Sequence, residues 1–221
     1  MKFNQFRYLA VFIVPIALLS CKDEVKKTTK EENIIVESSI KYAEGFRIQE
    51  FDGYKKLIIS APYQNSEETF EFILSQNPTN TDLNTIKTPV ESVVVTSTTH
   101  IPMLELLQVE DKLVGYPNTK YISSKKTRNL IDSDKILDLG NEENINTELL
   151  LDLNPDLVIG FSINSNNKMF ATIKKMGIPI ILNGAWLEKT PLGRAEWIKV
   201  FGVLFNKEKE ADSIFNTIEN N

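Results

Sequence analysis

The sequence is poor in the side chains that carry metal and redox chemistry. Of its 221 residues, one is cysteine (Cys21) and one is histidine (His100). With Cys21 spoken for, as argued below, no disulfide and no cysteine-based metal site remain. One histidine cannot build a closed site for bare Zn²⁺ or Mn²⁺, which take several nitrogen, sulfur or carboxylate ligands. There is no G-x-S-x-G, no Walker loop and no His–carboxylate metal cluster, and the lone histidine has no evident nucleophile beside it. No catalytic residue is therefore assigned, and no cofactor is implied. Basic charge is also scarce, with 25 Lys plus Arg against 30 Asp plus Glu. Nucleic acid is bound through clusters of Lys and Arg that neutralise phosphates, so that balance argues against it as a partner.

Long apolar runs are nearly absent too. The one near the start, Tyr8 to Leu19, is 12 residues long, whereas a helix needs about 20 to cross a bilayer. With Lys2 and Arg7 before it, residues 1–20 have the form of a signal peptide. Leu18-Leu19-Ser20-Cys21 resembles the lipobox of bacterial lipoproteins, which implies cleavage before Cys21 and acyl chains on it; several chains hold a protein stably on a membrane where one does not. Without Lys2 and Arg7 the balance is 23 basic against 30 acidic, a net charge of −7. Residues 21–39 then read as a tether: "KDEVKKTTKEEN" is charged and has Val25 as its only sizeable apolar group, leaving it no reason to fold.

Residues 40–90 are β-rich. "YAEGFRIQEF" and "YKKLIIS" flank Asp52-Gly53, a two-residue hairpin turn in which both central positions favour positive φ. "TFEFILS" adds a third strand, and "QNPTNTDLNTIKTP" has the composition of a loop. From Glu91 the rhythm changes. "SVVVT", "KLVGY", "KILDLG", "DLVIGF" and "IPIIL" are five short apolar strands. Helical patterns separate them, including "IPMLELLQ", "NTELLLDL" ending at Asn154-Pro155, and "NKMFATIKKM" ending at Gly177. Apolar strands without alternation are buried on both faces, as in a parallel sheet covered by helices. The expected class is α/β, with one α/β lobe over residues 91–191.

In open α/β sheets, ligands sit beyond the carboxyl ends of the strands. Just past each strand come Ser97-Thr98-Thr99-His100, then Tyr116-Pro117-Asn118, then Asn141, then Phe161-Ser162, then Asn183-Gly184-Ala185-Trp186. Hydroxyls, amides and aromatic rings recur there. That set suits a bulky, partly apolar ligand held by stacking and a few hydrogen bonds.

Several stretches together resemble one family, the iron-chelate and cobalamin-type (class III) substrate-binding proteins of bacterial ABC importers. "VVVTSTTHIPMLELLQVEDKLVGY" is similar to that family's first strand, loop and helix. "NTELLLDLNPDLVIGF" resembles its marker, in which an acidic residue precedes L-x-P-D-L-V-I. "MGIPIIL" with an aromatic loop follows, and "EKTPLGRAEWIKVFGVLFNKEKEADSIF" looks like the segment leading into its connecting helix. The order of motifs agrees from about Glu91 to Asn221. The "PLGRAEW" wording and the β-rich prelude are similar to versions from Bacteroidetes-type bacteria. The resemblance implies a two-lobe periplasmic-binding fold with the present lobe as the N-terminal one. Residues 192–221 would start the connecting helix, expected to run from Gly193 to about Glu219, and the second lobe is expected to be absent. Phe205, Ile214, Phe215 and Ile218 would then lack cover and favour association.

The implied function is capture of an iron chelate (siderophore), haem or cobalamin in the periplasm, on a lipid anchor to the inner or outer membrane, and delivery to an ABC permease. An accessory lipoprotein without transport, or a lipid-anchored α/β enzyme, are the alternatives; the second lacks a visible nucleophile and base. Expected ligand contacts are Thr98, Thr99, His100, Tyr116, Phe161, Ser162, Trp186 and Arg194. Thr98 and Thr99 can equally cap the next helix, and His100 can equally be a solvated loop residue. Arg194 has two roles open to it, an anionic ligand or a salt bridge to Glu188 or Glu196. Trp197 is expected to pack in the stripe of Ala195, Ile198, Phe201, Gly202 and Phe205. Glu148 matches the family's acidic docking position for permease arginines, although a carboxylate near a helix N-terminus is also favoured by the helix dipole alone.

Overall fold

The computed structural model describes residues 34–79, 82–141 and 144–221. The leader, Cys21 and most of the tether lie outside them. Residues 33–221 form one compact unit, and no helix among the described residues is long and apolar enough to cross a membrane.

The N-terminal part is a five-stranded sheet in the order β1 (Val36–Glu37), β2 (Phe46–Phe51), β3 (Tyr54–Ser60), β4 (Thr69–Ser75) and β5 (Thr85–Lys87). Alternation gives it one apolar face. Phe46 lies opposite Ile59 and Ile59 opposite Phe70; Ile48, Leu57 and Phe72 form the next row, and Leu74 pairs with Ile86. Such cross-strand pairs are the unit that stabilises a sheet. At the β2–β3 turn Gly53 alone has positive φ (+82°), so one left-handed position suffices and Asp52 does not need it. Strand β5 falls inside the stretch expected as a loop, because Ile86 docks beside Leu74.

The second sheet is parallel, in the order β12-β11-β6-β7-β8. Its strands are β6 (Val93–Val95), β7 (Leu113–Tyr116), β8 (Leu137–Asp138), β11 (Leu157–Gly160) and β12 (Ile180–Leu182). "KILDLG" does not stay one strand: after β8 the chain turns into a small hairpin of β9 (Gly140–Asn141) and β10 (Asn144–Ile145). Successive side chains of the parallel strands enter different cores. Val93, Val95, Leu157, Ile159 and Ile181 join one buried cluster with the N-terminal sheet. Val94, Val158 and Ile180 join the other, with Leu150, Phe170 and Ile173 from the covering helices. Burial on both faces is why these strands show no alternation.

The helices are α1 (Ile101–Leu106), α2 (Lys125–Asp132), α3 (Thr147–Leu153), α4 (Lys168–Lys175), α5 (Pro191–Glu196), α6 (Ile198–Leu204) and α7 (Glu208–Glu219). Asn146, Asn167 and Thr190 cap α3, α4 and α5 by accepting from backbone N–H groups three residues on. Asn154 ends α3 at φ +39°, and Gly177 follows α4 at φ +82°. Helix α2 falls in a stretch with no expected element; Ser124 caps it, and Glu105 of α1 accepts hydrogen bonds from Ser124 and Thr127.

The single helix expected from Gly193 to about Glu219 is instead three. Trp197 stands at the junction of α5 and α6. Helix α6 stops where Lys207 N–H returns to the Gly202 carbonyl (2.7 Å) and Asn206 takes φ +55°. Helix α7 then packs back on α6. They approach so closely that a Cβ at Gly202 would lie 2.7 Å from that of Ala211. This covers two of the side chains expected to be short of partners: Phe205 and Phe215 are buried, Ile214 packs against the core, and Ile218 stays exposed.

Candidate functional site

All five strands of the second sheet run parallel, so their carboxyl ends share one edge. There Phe161, after β11, meets Trp186, after β12, edge to face at 5.4 Å and 66°. Both rings are half-buried. Phe161 N–H donates to Thr96 Oγ1 at the end of β6 (3.1 Å), and Asn183 N–H donates to the Gly160 carbonyl (2.9 Å), which ties the three strand ends together. Trp186 rides on a 3-10 turn, Ala185–Leu187, started by Asn183 Oδ1 accepting from Ala185 N–H (2.8 Å). Its indole Nε1 is buried without a hydrogen-bond partner.

The other expected contacts lie on the same edge at different depths. Thr98 and Thr99 are exposed on a 3-10 turn before α1. The cap of that turn is Ser97, whose Oγ accepts from Thr99 N–H and pairs with Thr99 Oγ1 at 2.8 Å. Ser162 is buried, with its Oγ donating to the Asn164 carbonyl (2.7 Å). It borders an open groove of about 500 Å³ that Phe161 also lines. It also borders a cleft of about 260 Å³ that reaches Phe70 and Phe72 of the N-terminal sheet, where Lys174 lies 5.6 Å over the Phe70 ring. Tyr116 and His100 are deeper, each 3% exposed. His100 is thus no solvated loop residue. Its ring lies 5.9 Å from that of Phe201, and Nδ1 has no partner. Burial pushes its pKa down to about 3 against a smaller opposing pull from the Ile159 carbonyl, so the ring is neutral near pH 7. Among the described residues, no group of three or more His, Cys, Asp and Glu could hold a metal ion.

Arg194 is exposed on α5, and its Nε donates to the backbone carbonyl of Glu188 (3.2 Å). It forms no salt bridge with Glu188 or Glu196, because both carboxylates are buried and occupied by something the sequence reading missed. Glu188 accepts from the backbone N–H groups of Glu44 (3.1 Å) and Gly45 (3.0 Å) and from Trp197 Nε1 (2.9 Å). Glu196 accepts from those of Lys41 (2.9 Å), Tyr42 (2.8 Å) and Ala43 (3.0 Å), and from Lys199 Nζ (2.9 Å). Five consecutive backbone donors of residues 41–45 are thus held by two carboxylates. Burial works to raise the Glu196 pKa, but these hydrogen bonds outweigh it and hold the group below its ordinary value. The available signal was a glutamate next to Trp197 and Ile198, since a charge in a buried stripe demands partners.

Glu148 is exposed in the first turn of α3, while Leu150 on the same helix is fully buried. Helix α3 ends beside the start of β11, so its first turn points toward the carboxyl edge.

A family model described as Periplasmic binding protein matches residues 93–221, more than half of the chain. The chain belongs to the periplasmic binding protein family, a family of binding proteins. An uncharacterized lipoprotein of Methanocaldococcus jannaschii is 29% identical over 143 residues, covering 62% of this chain and 34% of that protein. Among solved structures, a periplasmic binding protein from Veillonella parvula superposes with a TM-score of 0.55 at 19% identity, over 85% of this chain and 53% of that one. A petrobactin-binding protein of Bacillus subtilis gives 0.50 at 20% identity, over 75% and 50%. The two structural likenesses are of fold: the α/β sheet with its β-rich companion matches one lobe of such proteins. The chain spans from a third to about half the length of these relatives.

Proposed function

We propose that this chain is the ligand-capturing part of an importer's binding lipoprotein, taking an iron chelate (siderophore), haem or cobalamin at the carboxyl edge of its parallel sheet and presenting it to an ABC permease. The observation that carries this reading is the Phe161–Trp186 pair, two half-buried rings on adjacent strand ends in a member of a binding-protein family. A flat or macrocyclic ligand would stack on these rings. The hydroxyls of Thr98 and Thr99 line the same edge, and Arg194 stands beyond the Trp186 turn for an anionic group. Ser162, Tyr116 and His100 form the floor beneath. Membrane attachment through acylated Cys21 agrees with the relative named as a lipoprotein, and Glu148 on the rim is the permease-docking carboxylate.

Calorimetry with a ferric siderophore, haemin and cyanocobalamin tests the reading. One of them should bind, and Trp186→Ala should weaken it about tenfold, or about 1.4 kcal/mol. Absence of binding by all three rejects the ligand class, and undiminished binding by the variant rejects the site. For the anchor, Cys21→Ser should release the protein from the membrane fraction or block its cleavage.

A further inference from the structure

We propose that Glu188 is a positioning residue for Trp186, and that the N-terminal segment 41–45, outside the family match, is part of the frame that shapes the ligand wall. The inference rests on the reading of Trp186 as a ligand contact. Trp186 sits two residues before Glu188, on a 3-10 turn whose last N–H contact is Glu188 N–H to the Ala185 carbonyl (3.2 Å). Glu188 N–H thus closes the C-terminal end of the turn that carries Trp186, as Asn183 Oδ1 closes its start. Glu188 is clamped from two directions: by Glu44 and Gly45 of segment 41–45, a strap laid across the core, and by Trp197 Nε1 beneath it. Arg194 adds a bond to its carbonyl.

The clamp is tightly packed at two flanking glycines. A Cβ at Gly45 would lie 2.8 Å from the Trp197 ring and 3.2 Å from Glu188 Oε1; one at Gly184 would lie 3.3 Å from the Trp197 ring and 3.6 Å from Pro62 of the N-terminal part. Neither glycine can take a side chain without displacing Trp197 or Glu188, the residues that flank the Trp186 turn. Glu196, the other anchor, holds residues 41–43 and does not touch that turn. This separation makes the two carboxylates distinguishable by experiment. A glutamine at either position keeps the volume but offers one acceptor oxygen where two are used.

Acrylamide quenching of the ligand-free protein reads the turn directly. Trp197 is fully buried, so the quenchable fluorescence belongs to Trp186 and should vanish in Trp186→Phe. In Glu188→Gln the quenching constant should rise about twofold as the half-covered indole opens, whereas Glu196→Gln should lower the melting temperature and leave the quenching constant unchanged. Should Glu188→Gln not fold, Gly45→Ala displaces the same clamp with the carboxylate intact and should give the same rise. A second readout is affinity for whichever of ferric siderophore, haemin or cyanocobalamin binds, expected to fall about tenfold in Glu188→Gln. Unchanged quenching in both Glu188→Gln and Gly45→Ala, or an equal rise in Glu196→Gln, overturns the proposal. Quenching needs no ligand, so it still decides the positioning role if none of the three probes binds.

Discussion

The two tryptophans stand eleven residues apart and occupy opposite situations. Trp197 is fully buried, lies 5.0 Å from the Phe46 ring and donates its Nε1 hydrogen to Glu188. Trp186 is half-buried, meets Phe161 alone among the aromatic rings of the described residues, and has an Nε1 that is covered yet unpartnered. A buried indole N–H normally finds an acceptor, because leaving it unmade costs about 1–3 kcal/mol. The region around Trp197 obeys that rule down to five backbone donors on two carboxylates. The region around Trp186 breaks it, and departures of this kind concentrate where a partner binds. The same residue type is therefore a fully satisfied core member in one region and a partly open ring with an unpartnered donor in the other.

The largest expected effect breaks this contrast if it is wrong. Trp197→Ala removes a filled core position and one of the three donors to the Glu188 carboxylate, so it should cost about 3–5 kcal/mol or prevent folding. Trp186→Ala should cost about 1 kcal/mol or less in stability while weakening ligand binding. Urea denaturation measures both, and equal losses would mean that Trp186 is also a core residue.

A second test sharpens the contrast through pH. His100 has a folded pKa of about 3 against an ordinary 6.5. Between those values the unfolded chain takes up a proton that the folded chain refuses, so stability falls as pH drops through that window, by up to about 1.4 kcal/mol per pH unit. Glu196 acts in the same direction lower down. Its carboxyl is held below the ordinary 4.5, so its contribution is present above that value and lost as pH falls through the folded pKa. His100→Gln should flatten the loss between pH 6.5 and 4.5 and leave the steeper loss below it. The urea midpoints at pH 7 and 5 should converge in the variant. Quenching of Trp186 should stay constant over the same range until the protein unfolds.

A third, smaller effect concerns the second core. Gly160 at the end of β11 faces Phe170 of α4, and a Cβ there would lie 2.4 Å from the ring. Gly160→Ala should cost about 1–3 kcal/mol by overpacking. It should also disturb Phe161, its neighbour at the carboxyl edge; if that edge takes the ligand as proposed, thermal melting and ligand affinity should fall together. A melting temperature equal to that of the unaltered protein would show that Phe170 has room to move.

The parallel sheet was legible because its signals are local. Val93–Val95, Leu157–Ile159 and Ile180–Ile181 are contiguous apolar runs, and Asn154 and Gly177 mark helix ends by their backbone preferences. The placement of Phe161 and Trp186 followed from strand order alone. The strap was not legible. Its partners, Lys41 to Gly45 against Glu188 and Glu196, lie about 150 residues apart in the chain, and no local pattern encodes a pairing at that distance. The break between α6 and α7 was missed for a related reason. Ala195, Ile198, Phe201, Gly202 and Phe205 keep helical spacing up to the break, five polar residues from Asn206 to Glu210 interrupt it, and the fold-back itself is set by the left-handed Asn206 and the contact between Gly202 and Ala211, nine residues apart. The burial of His100, which rules out the solvated-loop alternative, was not legible either, since one histidine in a polar run carries no sign of its depth.

The smallest expected effect is at Glu148, and its smallness is what gives it value. The side chain is exposed on the first turn of α3, where an acidic group gains about 0.3–1 kcal/mol from the helix dipole. Helix α3 has only seven residues and is already capped by Asn146, so the lower end of that range applies. Glu148→Ala should therefore change stability by about 0.3 kcal/mol and leave both Trp186 quenching and ligand affinity unaltered, because Leu150 keeps α3 seated on the second core. If Glu148 docks the lobe onto permease arginines, the same substitution in a transport-competent receptor should lower uptake, and Glu148→Asp should restore part of it where Glu148→Gln does not. A charge-dependent loss of uptake with binding and stability intact separates docking from the dipole explanation, which predicts a small stability change and no effect on uptake.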